Sequence, residues 1–314
     1  MVHSARVEPR LPVTGAARGR TDLLVDLVQL VRPGQWPKNL VVVSVPLLDL
    51  EVWRLATLGR LLWAVVGFTI ASTLVYVLND FMDRRWDAAN PAKRHRPIAA
   101  GRVSTRMVVM LATGQLALLT AVLSLQPWHW SWPIAVYLLL NLGYSLGLKH
   151  APLLDVFLVA GGFGLRLLQG YLAIDARLSG WLLTCVFSLC LLLSVGKRRQ
   201  ELVATGGAHR PALRGYTVPL AEQLMLLSAV LAAGSYLLYL RTEAPLGPYG
   251  LAAAVSSVPL ALFGLFRYLQ LVLVRGAGAN PVRVLLRDPP LVVNAVLWAL
   301  LSGGFLLATR MSLS

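Results

Sequence analysis

Long apolar runs separated by short polar loops organise this chain of 314 residues. Nine of them read as membrane spans, at roughly 39–50, 58–82, 104–125, 132–148, 152–173, 179–196, 219–240, 248–272 and 288–309. Most approach the roughly 20 apolar residues that a helix needs to cross a bilayer. The first is the weakest, being short and carrying Pro46, which removes a backbone donor. Ahead of it, Leu23, Leu24, Leu27, Val28, Leu30 and Val31 recur at helical spacing behind Thr21 as N-cap. The stretch 21–31 therefore predicts a helix that lies on the membrane surface or extends the first span. The expected fold is all-α, a polytopic bundle of nine transmembrane helices. Residues 1–20 have no early apolar core and are rich in Arg, Gly, Ala and Pro, which predicts a disordered tail and no signal peptide. Residues 21–314 would then form one transmembrane domain.

Composition supports the membrane reading: 57% of residues are hydrophobic, 14% are charged and the mean hydropathy is +0.66. The net charge of +15 is first a topology signal. With the N-terminus inside, the outer segments hold only Arg54, Arg60, Arg177, Arg241 and Arg310, Arg166 and Arg267 lie within spans, and every other Lys and Arg falls on an inner segment. That bias predicts a cytoplasmic N-terminus and an outer C-terminus. Because the bases occupy short loops between spans, nucleic acid is not a partner. Cys185, Cys190 and the scattered histidines show no zinc, iron or haem spacing, and the cysteines read as packing residues.

Candidate chemistry begins where the second span ends, at Asn-Asp-Phe-Met-Asp-Arg-Arg-Trp-Asp, residues 79–87. Acids beside a membrane span are costly unless they pair or hold a cation. On a helix Asn79, Asp83 and Asp87 share one face, joined by Tyr76. A row of hard oxygen ligands suits Mg²⁺, which commonly takes substrate phosphates in its remaining positions. Lys93, Arg94 and Arg96 follow closely, either as phosphate clamps or as plain positive-inside charge. Lys149 ends the fourth span, and Asp155 begins the fifth. The next acid, Asp175, is about 30 Å further along a helix, so the two cannot chelate one ion. Arg166 returns to nearly the face of Asp155 and either lines a polar cavity, or makes a structural ion pair or snorkels toward the outer interface. Glu201 either closes a helix-end salt bridge to Lys197 and Arg198 or orients them toward an anion. Arg267, near the inner end of the eighth span, is a further anion-binding candidate. Gly161, Gly162, Gly164 and Gly170 suit close helix packing, since no strand-turn-helix phosphate loop surrounds them.

Asn-Asp-x-x-Asp-x-x-x-Asp at 79–87 followed by Lys-Arg-x-Arg-Pro-Ile-Ala-Ala-Gly at 93–101 resembles the UbiA superfamily of intramembrane prenyltransferases. Weaker pieces in the same order extend the likeness to a branch that transfers phosphoribosyl groups to decaprenyl phosphate for cell-wall arabinan synthesis. They are Arg32-Pro-x-x-Trp36-x-Lys38-Asn39, Tyr144-Ser-x-Gly-Leu-Lys149-His150, Leu154-Asp155, Gly196-Lys197-Arg198-x-x-Glu201, Tyr216-Thr217 and Arg267-Tyr268. The resemblance implies a nine-helix bundle in the plasma membrane with a cytoplasm-facing Mg²⁺ site. The substrates it implies are 5-phosphoribosyl 1-diphosphate (PRPP) and a polyprenyl phosphate.

It further implies that Asn79 and Asp83 hold the metal with Asp80 and Asp87 in support. Lys38, Tyr76, Lys93, Arg94 and Arg96 would hold the PRPP phosphates. Lys149, Lys197, Arg198 and Arg267 would hold the lipid phosphate or the ribose 5-phosphate, with Tyr144 and Glu201 in the same site. Asp155 would orient a ribose hydroxyl or the acceptor phosphate. Members that use prenyl diphosphates generally carry two acidic motifs, and the single one here favours the phosphoribosyl branch. An aromatic or quinone prenyltransferase of the same superfamily is the alternative. A lipid carrier without chemistry is a third reading, opposed by the confinement of polar groups to one face. Nothing in the sequence opposes a homo-oligomer.

Overall fold

The computed structural model describes residues 20–44, 55–91, 93–206, 211–277 and 281–313. Among them every regular element is helical. Seven helices are long and apolar enough to cross a membrane. They are α3 (Leu55–Met82), α5 (Thr105–Leu123), α7 (Leu154–Ala173), α8 (Gly180–Thr205), α9 (Val218–Thr242), α10 (Gly250–Leu273) and α12 (Pro289–Leu313). A shorter apolar helix, α6 (Trp132–Leu146), occupies the expected fourth span. These eight match the last eight spans expected from hydropathy. The first expected span is described only to residue 44, as the short α2 (Val41–Ser44), and the rest of it lies outside the described residues. So does the expected tail up to residue 19. The helix expected to be capped by Thr21 runs Arg20–Val31 (α1), so Thr21 is its second residue and not its cap.

Lipid is as apolar as leucine, so helices in a bilayer associate through close fit more than through water exclusion. The helix faces show this. Ala64, Gly67 and Ala71 let α3 approach α6, and a methyl added at Gly67 would sit 3.0 Å from Ile134 Cδ1. Phe68, Trp63, Leu119, Ile134 and Tyr137 fill the core between α2, α3, α5, α6 and α7. A second core of Leu192, Val195, Met225, Leu265 and Tyr268 joins α7 to α10. Helix α12 packs on α10 and is otherwise peripheral.

Arg166 makes neither the ion pair nor the snorkelling contact that the sequence offered, and is held instead by neutral acceptors. It is buried on α7, where its guanidinium donates to Asn39 Oδ1 (2.9 Å), the Gly162 carbonyl (2.8 Å) and the Tyr137 hydroxyl (3.1 Å). It also lies over the rings of Tyr137, Phe163 and Phe68. Among the described residues no carboxylate lies within ion-pair distance of it. Asn39 in turn donates to Thr69 and Ser72 of α3. One buried cation thereby ties the segment 33–40 to α3, α6 and α7.

Candidate active site

Helix α3 ends at Met82, and Asp83 begins the short α4 (Arg84–Ala89). The backbone bonds Asp83 N to Asn79 O and Asp87 N to Asp83 O preserve helical register across this junction. The expected shared face is nevertheless divided by its partners. Asp80 and Asp87 are 4% and 3% exposed. Arg96 Nη1 bridges them, 2.9 Å from Asp80 and 2.7 Å from Asp87. Arg32 adds a 2.5 Å bond to Asp80, and Lys93 lies 3.6 Å from Asp87. Asn79 and Asp83 are the accessible members. Asp83 keeps 33% of its side chain exposed and pairs with Lys149, while Asn79 Oδ1 accepts from the Ser145 hydroxyl.

The loop after α4 is built to aim these bases. Ile98 and Val103 bury beside Leu30 and Val77, pinning the loop between α1 and α3. Gly101 turns the chain at φ 68°, a conformation open to glycine at little cost. Arg102 then clamps the buried Asp26 of α1 through Nε at 2.9 and 3.2 Å. On the other side, Arg32 follows α1 in a left-handed conformation (φ 48°) with its guanidinium over the Tyr76 ring. A non-glycine residue held this way marks a position over-determined by its surroundings. Sequence spacing gave Arg32 no role, because its partner Asp80 lies 48 residues away.

A second cluster forms where α7 begins. Asp155 is 1% exposed. Its carboxylate accepts from the Tyr216 hydroxyl at 2.9 Å and lies 3.4 Å from Arg198 Nε. Arg198 also pairs with Glu201 one turn on, as the helical spacing predicted. Leu153 has φ 67° and ψ −47°, and Leu154 N donates to Pro152 O at 2.8 Å, which makes a strained γ-turn. Tyr216 staples that turn by accepting from Leu153 N at 3.0 Å while donating to Asp155. Burial, followed by the Asp155 charge, raises the Tyr216 hydroxyl above its ordinary range, so it stays a proton donor. Gly215 is required alongside, since a Cβ there would lie 2.3 Å from Pro152 Cγ.

Lys38 joins the clusters electrostatically. Burial, with the charges of Lys197, Arg166 and Arg32, pushes its ammonium from 10.5 down to about 8. Cations from three segments thus converge around one half-buried lysine, which is an electrostatic setting for an anion. The sign of the pH effect follows. Affinity for an anion bound beside Lys38, read by titration with inorganic pyrophosphate, should fall as pH rises through about 8 and Lys38 loses its proton. Replacing Lys38 with permanently charged Arg removes that limb. Stability moves oppositely between about 8 and 10.5, where the unfolded chain binds a proton that the folded one has shed.

Other expected residues are placed differently. Arg94 is exposed on the loop, and Tyr144 is half-buried beside Ser145 at the end of α6. Arg267 is not brought to either cluster. Its guanidinium makes a bidentate pair with Asp288 (3.1 and 2.8 Å) and bonds Gln270, tying α10 to the start of α12. Those contacts engage its donors in this structure, as carboxylates engage the bases of the two clusters.

The residues fit a magnesium ion only in part. Asn79 and Asp83 offer oxygen donors one turn apart and accessible, whereas Asp80 and Asp87 are committed to bases. Among the described residues no group of three His, Cys, Asp or Glu could hold a metal alone. Two protein oxygens completed by substrate phosphates is an arrangement Mg²⁺ commonly adopts.

Over residues 53–284 the sequence matches the UbiA prenyltransferase family. The decaprenyl-phosphate phosphoribosyltransferase of Mycolicibacterium smegmatis is 36% identical over 66% of this chain and 68% of that protein. The Mycobacterium tuberculosis protein of the same name is 32% identical over 88% of this chain and 93% of its own length. A UbiA homolog from Archaeoglobus fulgidus, solved bound to GPP and Mg²⁺, superposes with a TM-score of 0.67 at 17% identity, covering 90% of this chain and 99% of that one. The family match over most of the sequence and the shared helical architecture lead to one assignment: this multi-pass membrane protein belongs to the UbiA prenyltransferase family.

Proposed function

We propose that the protein transfers the 5-phosphoribosyl group of PRPP to a polyprenyl phosphate, decaprenyl phosphate in the relatives, and releases pyrophosphate. An oxygen of the lipid phosphate attacks C1 of the ribose, and the bond from C1 to the diphosphate oxygen breaks, its electron pair leaving with pyrophosphate. The nucleophile is already anionic near neutral pH, since a phosphate monoester loses its second proton near pH 6. No general base is therefore required.

The observation that carries this reading is the asymmetry of the two clusters. One offers a pair of accessible oxygen ligands, Asn79 and Asp83, with Lys149 on Asp83 and with Arg32, Lys93 and Arg96 on the neighbouring Asp80 and Asp87. In the other, Asp155 is committed to Arg198 and Tyr216, and Glu201 to Arg198. This suits one diphosphate and one monophosphate. The names of the relatives support the same choice.

Asn79 and Asp83 would hold Mg²⁺, which when bound supplies charge neutralisation for the leaving diphosphate. Arg32, Lys93, Arg96 and Lys149 orient the PRPP phosphates beside it. Lys38, Lys197 and Arg198 receive the acceptor phosphate, and Asp155 acts by holding Arg198 in place. The charge bias of the loops supports nine spans with the N-terminus and the site facing the cytoplasm, in the plasma membrane.

The test is an assay of purified protein with ribose-labelled PRPP, Mg²⁺ and polyprenyl phosphate. Label should enter the lipid fraction as pyrophosphate appears. Label remaining in water, with prenyl transferred from a prenyl diphosphate to an aromatic acceptor, overturns the reading.

A further inference from the structure

Lys197 and Arg198, which would receive the acceptor phosphate, stand where α8 continues past its apolar run toward Thr205. A helix end of this kind frays and turns unless its side chains are tied to neighbours. Arg199 and Gln200 tie it. Arg199 donates to Glu222 Oε1 of α9 through Nε at 2.9 Å, with Nη2 2.8 Å from the same oxygen. Its Nη1 donates to the Val272 carbonyl of α10 at 3.1 Å. Gln200, itself buried, donates to that carbonyl through Nε2 at 2.9 Å. Val272 lies in the last turn of α10, where carbonyls lack a partner within their own helix. Just below, Gly196 lets α10 come close, since a Cβ there would lie 2.9 Å from the Tyr268 hydroxyl. Arg198 and Arg199 are consecutive, so they point about 100° apart around the helix. One therefore meets Asp155 of α7 and the other Glu222 of α9. Both restraints lead back to the start of α9. Tyr216, which holds Asp155, and Glu222 lie on either side of Thr217, the N-cap of that helix.

We propose that Arg199, Gln200 and Glu222 are positioning residues for the acceptor: they fix the rotation of α8 about its axis and so hold Lys197 and Arg198 at the acceptor phosphate. The inference rests on the function proposed above and adds three residues that touch no substrate. A turn of α8 by one residue would carry Arg198 away from Asp155 and leave that buried acid without its guanidinium. The fork of Arg199 prevents the turn because its planar donors reach two helices at once, which a single flexible ammonium does not do. Helix α8 packs chiefly on α9 and α7, whereas PRPP is placed beside α3 and the loop after α4. The clamp therefore acts on the acceptor and not on PRPP.

The experiment pairs binding with kinetics on the full chain in detergent. Calorimetric titration with geranyl phosphate, and separately with PRPP and Mg²⁺, gives the two affinities without turnover. Arg199→Met should raise Kd for geranyl phosphate and KM for polyprenyl phosphate about tenfold. Kd for PRPP and kcat at saturating acceptor should hold. Arg199→Lys, which keeps the charge but not the fork, should lose less than Arg199→Met. Glu222→Gln should weaken acceptor binding in the same direction. Glu222 is 38% exposed, so this variant gives a folded protein to measure even where Arg199→Met does not fold. Equal losses of acceptor and PRPP affinity overturn the proposal. So does a lowered melting temperature with acceptor affinity unchanged, which makes the clamp a structural contact only. A parent protein that binds geranyl phosphate without transferring phosphoribosyl, with that affinity lost in the variants, would refute the proposed reaction and leave the positioning role standing. Phosphoribosyl transfer with the parent's acceptor KM in every variant would do the reverse.

Discussion

Asp83→Asn should lower phosphoribosyl transfer by about 10²–10³-fold, the range seen when one electrostatic contact to a transition state is removed. The substitution keeps size and hydrogen-bonding capacity but removes the charge from the most accessible carboxylate of the first cluster. Its stability cost should be small. Asp83 is one-third exposed and its partner is a flexible lysine, so the pair contributes on the order of 0–1 kcal/mol. Activity and stability therefore separate. Turnover should collapse while the melting temperature in detergent stays close to that of the parent protein. Turnover within a few-fold of the parent would remove Asp83 from the metal-binding role and leave it only as a partner of Lys149.

The opposite balance holds at Asp155. Asp155→Ala should destabilise the fold by about 3 kcal/mol, the low end for breaking a buried pair, because Arg198 loses its buried partner and keeps the partly exposed Glu201. It also frees the Tyr216 hydroxyl that pins the γ-turn at Leu153. Asp155→Asn should recover part of the loss, since an amide oxygen can accept from Tyr216 but does not compensate the guanidinium charge. The measurement is the unfolding midpoint of both variants in detergent, set beside KM for each substrate. A stable Asp155→Ala protein with abolished turnover would assign Asp155 a direct contact with substrate in place of a positioning role.

Much of the helical framework was legible as runs of apolar residues, because a bilayer demands them at a fixed length. What hydropathy missed lies where polar sequence continues a helix. The sixth span was expected to end at 196, and helix α8 continues to Thr205, in keeping with the helical spacing of Lys197, Arg198 and Glu201, since Lys, Arg, Gln and Glu are all good helix formers and only the membrane ends at the charges. The acidic row at 79–87 was visible as a site. Its division into two accessible and two buried members was not, because the division is made by Arg32 and Arg96 across gaps of 48 and 16 residues. The pairing of Arg267 with Asp288 from the next helical segment was hidden for the same reason. Tyr216 stood in the sequence only as part of a dipeptide, and its role needs the turn at Leu153 beside it.

Arg166 carries a consequence for how the protein is made. A guanidinium near the middle of a span costs about 2.5–3.5 kcal/mol on insertion scales. Its neutral hydrogen-bond partners outside its own helix, Asn39 and Tyr137, precede it in the chain and emerge from the ribosome first. When α7 leaves the translocon, the groups that make its cation tolerable are already synthesised. The order of residues along the chain thus matches an order of assembly in which the early segments receive the later helix, and lateral release of α7 into lipid is coupled to its docking on them.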